Sequence, residues 1–168
     1  MTSANQSGKE PFRVKSVGDL WACALIIEKH AVENYQRLAD QMESQNNVEV
    51  ADFFREMSEV EVLHVKHIEK MTRDIVLPEL DEGHIHWPDE EIPDSPSEIE
   101  GHYLMSPDQA LHMAIKAEKR ALKFYQQIAM ADISDNVRNW AKELAEEEDE
   151  HVEMLLQWLG KYPVASNL

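Results

Sequence analysis

Apolar residues return at helical spacing in four stretches of the chain, and between the second and the third they lose all period. The first stretch opens at SVGD, where Ser16 caps and Asp19 stands at the reciprocal position, and it runs to about Glu43. Asn46 and Asn47 break the pattern. The second stretch, from about Val48 to Arg73, carries Val50, Phe53, Phe54, Met57, Ile68 and Met71 on one stripe. A connection this short makes the two helices antiparallel neighbours. From Asp74 to Ser106 the prolines and the run DEGHIHWPDEE allow no sustained period, and the segment reads as a crossover loop. It is long enough to run back along a helix of ~40 Å. The third helix opens at SPDQ, with Ser106 as cap, Pro107 at the first helical position and Gln109 completing the box, and continues to about Ala131. A fourth follows DISDN and ends at Leu159, where Gly160 and Pro163 supply stop signals.

These elements predict an all-α fold: a four-helix bundle of two antiparallel pairs joined by one long crossover, over residues 16–160. Residues 1–15 read as a mobile leader and 161–168 as a tail.

Composition narrows the partners. The chain has 168 residues and a formal net charge of −17, which argues against nucleic acid and anionic membranes and favours cations. No apolar run approaches spanning length and the amino end lacks a secretory segment, so a cytoplasmic protein is expected. The single cysteine, Cys23, excludes an internal disulfide and a four-cysteine metal centre, and reads as a small core residue.

The chain repeats itself. ALIIEKHAVENYQRLA from Ala24 lies on AIKAEKRALKFYQQIA from Ala114, which aligns Glu28 with Glu118 and Tyr35 with Tyr125. VADFFREMSEVEVLHVKHI from Val50 lies on VRNWAKELAEEEDEHVEML from Val137, which aligns Glu61 with Glu148 and His64 with His151. Helix position alone leaves Glu147 and Glu148 as alternatives within the acidic run of the fourth helix. The position equivalent to Glu147 is Val60, so Glu148 is the member that both halves share.

Glu28 and Glu118 fall among Trp21, Leu25, Tyr35, Leu111, Ile115 and Tyr125, and Glu61 and Glu148 fall one turn beyond Met57 and Leu144. All four carboxylates therefore face inward, and no lysine or arginine shares their stripes. Burying an unpaired carboxylate costs several kcal/mol. Two divalent metals balance four carboxylates and leave two neutral imidazoles as nitrogen ligands. A glutamate from each of two helices and Glu-x-x-His from each of the others is a dimetal carboxylate arrangement.

The sequence thereby resembles the ferritin-like superfamily, and within it the rubrerythrin group, over roughly Ser16 to Leu159. The resemblance implies that Glu28, Glu61, His64, Glu118, Glu148 and His151 hold two iron ions per chain, with manganese or zinc as alternatives. It makes Glu61 and Glu148 the bridging carboxylates, and Tyr35 and Tyr125 hydrogen-bond donors to the ligands. Core packing is the other reading of the two tyrosines. The chain has neither the length nor the cysteines for the rubredoxin domain that rubrerythrins typically carry, so an external rubredoxin or reductase is the expected electron donor. Where rubrerythrins usually place an additional glutamate, one turn after the third-helix ligand, this chain has Ala121. The six remaining ligands look equally like a bacterioferritin centre, yet Val62 stands where that family has a haem-binding methionine.

The expected function is reduction of hydrogen peroxide or dioxygen in a homo-oligomer, in the first place a dimer. Alternatives are a ferroxidase that stores iron and a bundle with a structural metal. His84 and His86 read as solvated loop or as an accessory metal site, and His67 as a residue able to orient a ligand without support from the repeat. His30, His102 and His112 carry no assignment.

Overall fold

The computed structural model describes residues 13–85, 87, 92 and 105–161, with only the backbone of His84. Most of the expected leader, His86, His102, the His84 side chain and residues 162–168 of the tail lie outside the described residues.

Four helices form: α1 (Val17–Ser44), α2 (Val48–Met71), α3 (Pro107–Ala129) and α4 (Asp135–Leu159). Ser16 Oγ accepts from Asp19 N–H at 3.1 Å while Asp19 Oδ2 accepts from Ser16 N–H at 2.9 Å, so the expected capping box opens α1. A second box opens α3, where Ser106 N–H donates to Gln109 Oε1 at 3.0 Å and Pro107 needs no partner for its missing N–H. The ends differ from expectation by a residue or two: α2 stops at Met71 rather than Arg73, α3 at Ala129 rather than Ala131, and α4 takes up the last two residues of DISDN. Periodicity locates an apolar stripe but not the turn at which it frays.

The α1–α2 connection reverses at Asn46, which sits at φ 61°. Asparagine tolerates this left-handed conformation better than any residue but glycine. Asn46→Ala is expected to destabilise the fold by about 1 kcal/mol, and Asn46→Gly to leave it within a few tenths. Denaturant titration of both variants checks this, and equal losses would mean that the turn is not what holds the position.

α1 packs along α2 and α3 along α4, and contacts between the pairs, α1 with α4 and α2 with α3, are sparser. The crossover begins under the amino end of α1, where Pro78 lies against Gly18, and Leu77, Leu80, Ile85, Trp87 and Ile92 cover the core there. A short 3-10 turn, Glu82–His84, interrupts it. It finishes at the opposite end, where Met105 is buried and its carbonyl accepts from Asn47 Nδ2 at 2.7 Å. The described ends of the crossover thus lie at opposite ends of the bundle, which sets α3 parallel to α2, the ferritin-like arrangement expected from the sequence.

The core is split in two. One apolar cluster holds Tyr35, Leu38, Met42, Phe54, Met57, Leu111 and Leu155, and the other Leu20, Ile27, Ile68, Phe124, Tyr125 and Leu144. Between them lies a layer of buried glutamates. Cys23 is fully buried in the second cluster, and burial, with the Asp19 charge adding, pushes its thiol up to about 12, so it stays protonated. No described helix is long and apolar enough to cross a membrane.

Candidate metal centre

Each helix contributes one carboxylate to the layer between the two apolar clusters. Glu28 on α1, Glu61 on α2, Glu118 on α3 and Glu148 on α4 are all buried, with between 0 and 3% of their surface exposed. Of the acidic run on α4, Glu148 is buried, while Glu146, Glu147, Asp149 and Glu150 are exposed. His64 and His151, one turn beyond Glu61 and Glu148, turn Nδ1 toward the carboxylates. His64 Nδ1 lies 3.6 Å from Glu28 Oε2 and 3.7 Å from Glu61 Oε2. His151 Nδ1 lies 3.3 Å from Glu118 Oε2 and 3.6 Å from Glu148 Oε2. The two imidazoles stack on each other with centroids 4.6 Å apart.

One atom each from Glu28, Glu61 and His64 lies within 4.8 Å of the others, and one each from Glu61, Glu118 and His151 does the same. Glu61 therefore belongs to both triads, whereas Glu148 reaches the cluster through His151. All six predicted ligand positions are brought to one layer.

The electrostatics of the layer favour a positive charge among its carboxylates. Glu28 Oε2, both oxygens of Glu61 and Glu148 Oε2 are sealed from solvent and accept no hydrogen bond. A buried carboxylate oxygen without a partner forfeits its hydration and gains nothing in return. Burial first, then the neighbouring carboxylates, holds Glu28 and Glu61 well above the usual carboxylate range. Burial likewise raises Glu148, with His151 pulling the other way. For His151 burial works to lower the value, but its hydrogen bond to Glu118 and the negative charges of Glu118 and Glu148 outweigh it and push it up to about 11. Such a layer calls for compensating positive charge, which a bound metal would supply. The donor set, carboxylate oxygens with imidazole nitrogens and a separate triad around each histidine, fits divalent iron, manganese or zinc.

Tyr35 donates to Glu118 Oε1 at 3.4 Å, so a tyrosine of the first half reaches a carboxylate of the second. Tyr125 is fully buried and packs edge-on against Phe124. Sequence reasoning placed no cation on the inward stripes. Arg120 is buried, but it follows Glu118 by two residues and so stands ~200° round the helix, away from the cluster. His67 is exposed. His112 Nδ1 pairs with the Asp108 carbonyl at 2.7 Å, away from the cluster. His30 Nε2 lies 2.8 Å from Glu82 Oε2 and ties α1 to the crossover. Nothing in the sequence signals that contact, because 52 residues separate the partners.

The family model described as Rubrerythrin matches residues 19–159. Among solved structures, an uncharacterised conserved protein from Magnetospirillum magnetotacticum MS-1 is similar to this chain. It is 33% identical over 91% of this chain and 99% of that one, with a TM-score of 0.68. No curated protein matches.

Proposed function

This chain belongs to the rubrerythrin family, and from that premise we propose that it is a dinuclear iron protein reducing hydrogen peroxide or dioxygen with electrons from an external donor. The observation that carries the reading is the layer of four buried carboxylates whose oxygens lack partners, joined by two imidazoles. Glu28, Glu61 and His64 would hold one ion and Glu118, Glu148 and His151 the other, with Glu61 and Glu148 as the carboxylates both would share. Two ferrous ions, when bound, supply the two electrons that cleave the O–O bond of hydrogen peroxide, which takes up two protons to give two waters.

The chain's own residues prepare the site. The apolar clusters on either side keep bulk water from the carboxylates, so the charges there act in a low dielectric. Tyr35 holds the orientation of Glu118 across the bundle. The imidazoles are the exposed edge, with 23% of the His64 and 14% of the His151 side chain accessible, and a small oxidant approaches there. The donor is a rubredoxin or a reductase, the working unit a dimer, and the compartment the cytoplasm.

A second reading has one observation in its favour. Ala121 is fully buried one turn after Glu118, and its repeat counterpart Ala31 is buried likewise, so neither half offers the additional carboxylate. Such a symmetric six-ligand centre also suits a ferroxidase that stores iron. A storage shell elutes far above a dimer on a sizing column.

Stopped-flow mixing of the ferrous protein with peroxide, and separately with air-saturated buffer, tests the proposal. One rapid oxidation is expected, then a stall until an external reductant is added, with a slower rate than in a rubrerythrin that has the extra glutamate. If neither oxidant changes the iron spectrum within minutes, the metal is structural.

A further inference from the structure

On one side of the cluster the aromatic rings form a continuous row. Tyr35, whose hydroxyl donates to Glu118 Oε1 at 3.4 Å, stacks on Phe54 with ring centroids 6.0 Å apart. Phe54 lies 5.3 Å from Phe53, and Phe53 meets Trp158 edge-on at 6.1 Å. Tyr35 and Phe54 are fully buried, whereas Phe53 and Trp158 are half-buried and line a groove with Glu49, Asp52, Glu56 and Lys161. The row therefore runs from a carboxylate of the cluster to the surface, and no ring lies more than 6.1 Å from the next.

The internal repeat does not reproduce this row. Phe54 aligns with Ala141, and Phe53 with Trp140, which packs on Trp21 at 5.2 Å. Tyr125, the counterpart of Tyr35, meets Phe124 at 5.4 Å, and Phe124 meets Trp87 at 5.4 Å. Trp87 is itself buried. Each row starts at a tyrosine and ends at a tryptophan, but among the described residues the first ends at an open groove and the second in the core.

We infer that Tyr35 and Trp158 are redox-active and form a one-electron relay, through Phe54 and Phe53, between the cluster and the groove. Phenol and indole rings give up an electron at potentials within reach of oxygen chemistry. A phenylalanine ring does not, and here it is the packed medium through which the electron tunnels. Tyr35 loses an electron to the oxidised centre and its phenolic proton to Glu118 Oε1, which leaves a neutral radical. An electron from Trp158 and the proton from Glu118 restore the phenol. The oxidised indole releases its N–H proton to water, and an external one-electron donor at the groove returns the electron while water returns the proton. Glu49 and Glu56 along the groove favour the positive charge that the indole carries before it deprotonates. The use of the relay rests on the dinuclear centre proposed above: dioxygen needs four electrons to become two waters, two come from the ferrous ions, and the relay delivers the other two one at a time.

Pulse radiolysis of the metal-free protein tests the relay without iron. The azide radical takes one electron from indoles, and phenoxyl absorption then grows as indolyl absorption decays wherever a tryptophan and a tyrosine are connected. A part of that growth, independent of protein concentration, is expected to be lost in Trp158→Phe, and the same part in Tyr35→Phe. The double variant should lose no more than either alone, because a shared path is lost once. Tyr125→Phe, on the other row, should remove a separate part that adds to the loss in Trp158→Phe. Unchanged growth in Trp158→Phe or in Tyr35→Phe overturns the relay, as do losses that add in their double variant, since each residue would then exchange electrons with another partner. In the iron-loaded protein, mixing the ferrous form with dioxygen and freezing should give a tyrosyl radical by electron paramagnetic resonance that Tyr35→Phe lacks and Tyr125→Phe keeps. Mixing with peroxide, which needs only two electrons, should give none. Iron that dioxygen oxidises without a tyrosyl radical overturns the use of the relay. Iron that no oxidant changes overturns the dinuclear reading instead, and the radiolysis result then upholds or overturns the relay by itself.

Discussion

Replacing both Glu61 and Glu148 with alanine is expected to take metal binding from two ions per chain to none. Glu61 is common to the two triads that lie within 4.8 Å, so its loss strips a ligand from each. Glu148 stands 3.6 Å from His151, and without it the second ion keeps only Glu118 and His151. The bundle itself should survive. In the metal-free protein these carboxylates are buried without hydrogen-bond partners at three of their oxygens, and removing such groups relieves a cost that offsets much of the cavity left behind. Circular dichroism should therefore show a folded double variant, and metal analysis after loading with excess iron should find background levels. Two ions per chain in that variant would overturn the bridging assignment.

The metal-free protein is expected to become more stable as pH falls from 7.5 to 5.5. Glu28, Glu61 and Glu148 are held above their unfolded values, so over that window the fold binds protons that the unfolded chain has released. Their contribution is complete below the unfolded carboxylate value and is lost as pH climbs through the raised ones. His151, raised from 6.5 to about 11, acts in the same direction: its contribution is full below 6.5 and fades toward 11. Each extra proton in the fold is worth ~1.4 kcal/mol per pH unit, or ~3–6 °C in Tm for a domain of this size. A rise of order 5–10 °C across the window follows. Relief of the net charge of −17 pushes the same way, so the comparison that isolates the cluster is Glu61→Gln with Glu148→Gln. That variant keeps the surface charges and should show a clearly shallower slope, as should metal-loaded protein. An apo melting temperature that falls steadily on acidification, or equal slopes in the two proteins, would count against a buried carboxylate cluster.

Much of the fold and of the candidate site was legible because it follows from periods that one sequence carries. Helical spacing with cap and stop residues located all four helices to within a residue or two, since apolar stripes and capping boxes are local. The repeat chose Glu148 over Glu147, and burial agrees, because a position used in both halves marks a side that both halves turn inward. Cys23 and the inward Glu28 and Glu118 followed from the same stripes.

Other features depend on contacts between segments far apart in the chain, and these only the tertiary structure decided. Tyr35 was expected to serve a ligand, yet that its partner is Glu118 of the other half depends on how the two pairs face each other. The same holds for the His30 contact with Glu82 and for the stacking of His64 on His151. Burial of Arg120 was likewise hidden, because its position lies off the inward stripe and periodicity reports only one face of a helix. The sequence by itself determined which residues turn inward, since that depends on 3.6 residues per turn. Which of them meet, and which edge of the cluster meets solvent, was decided by the register between helices, a property of packed pairs that no single helix encodes.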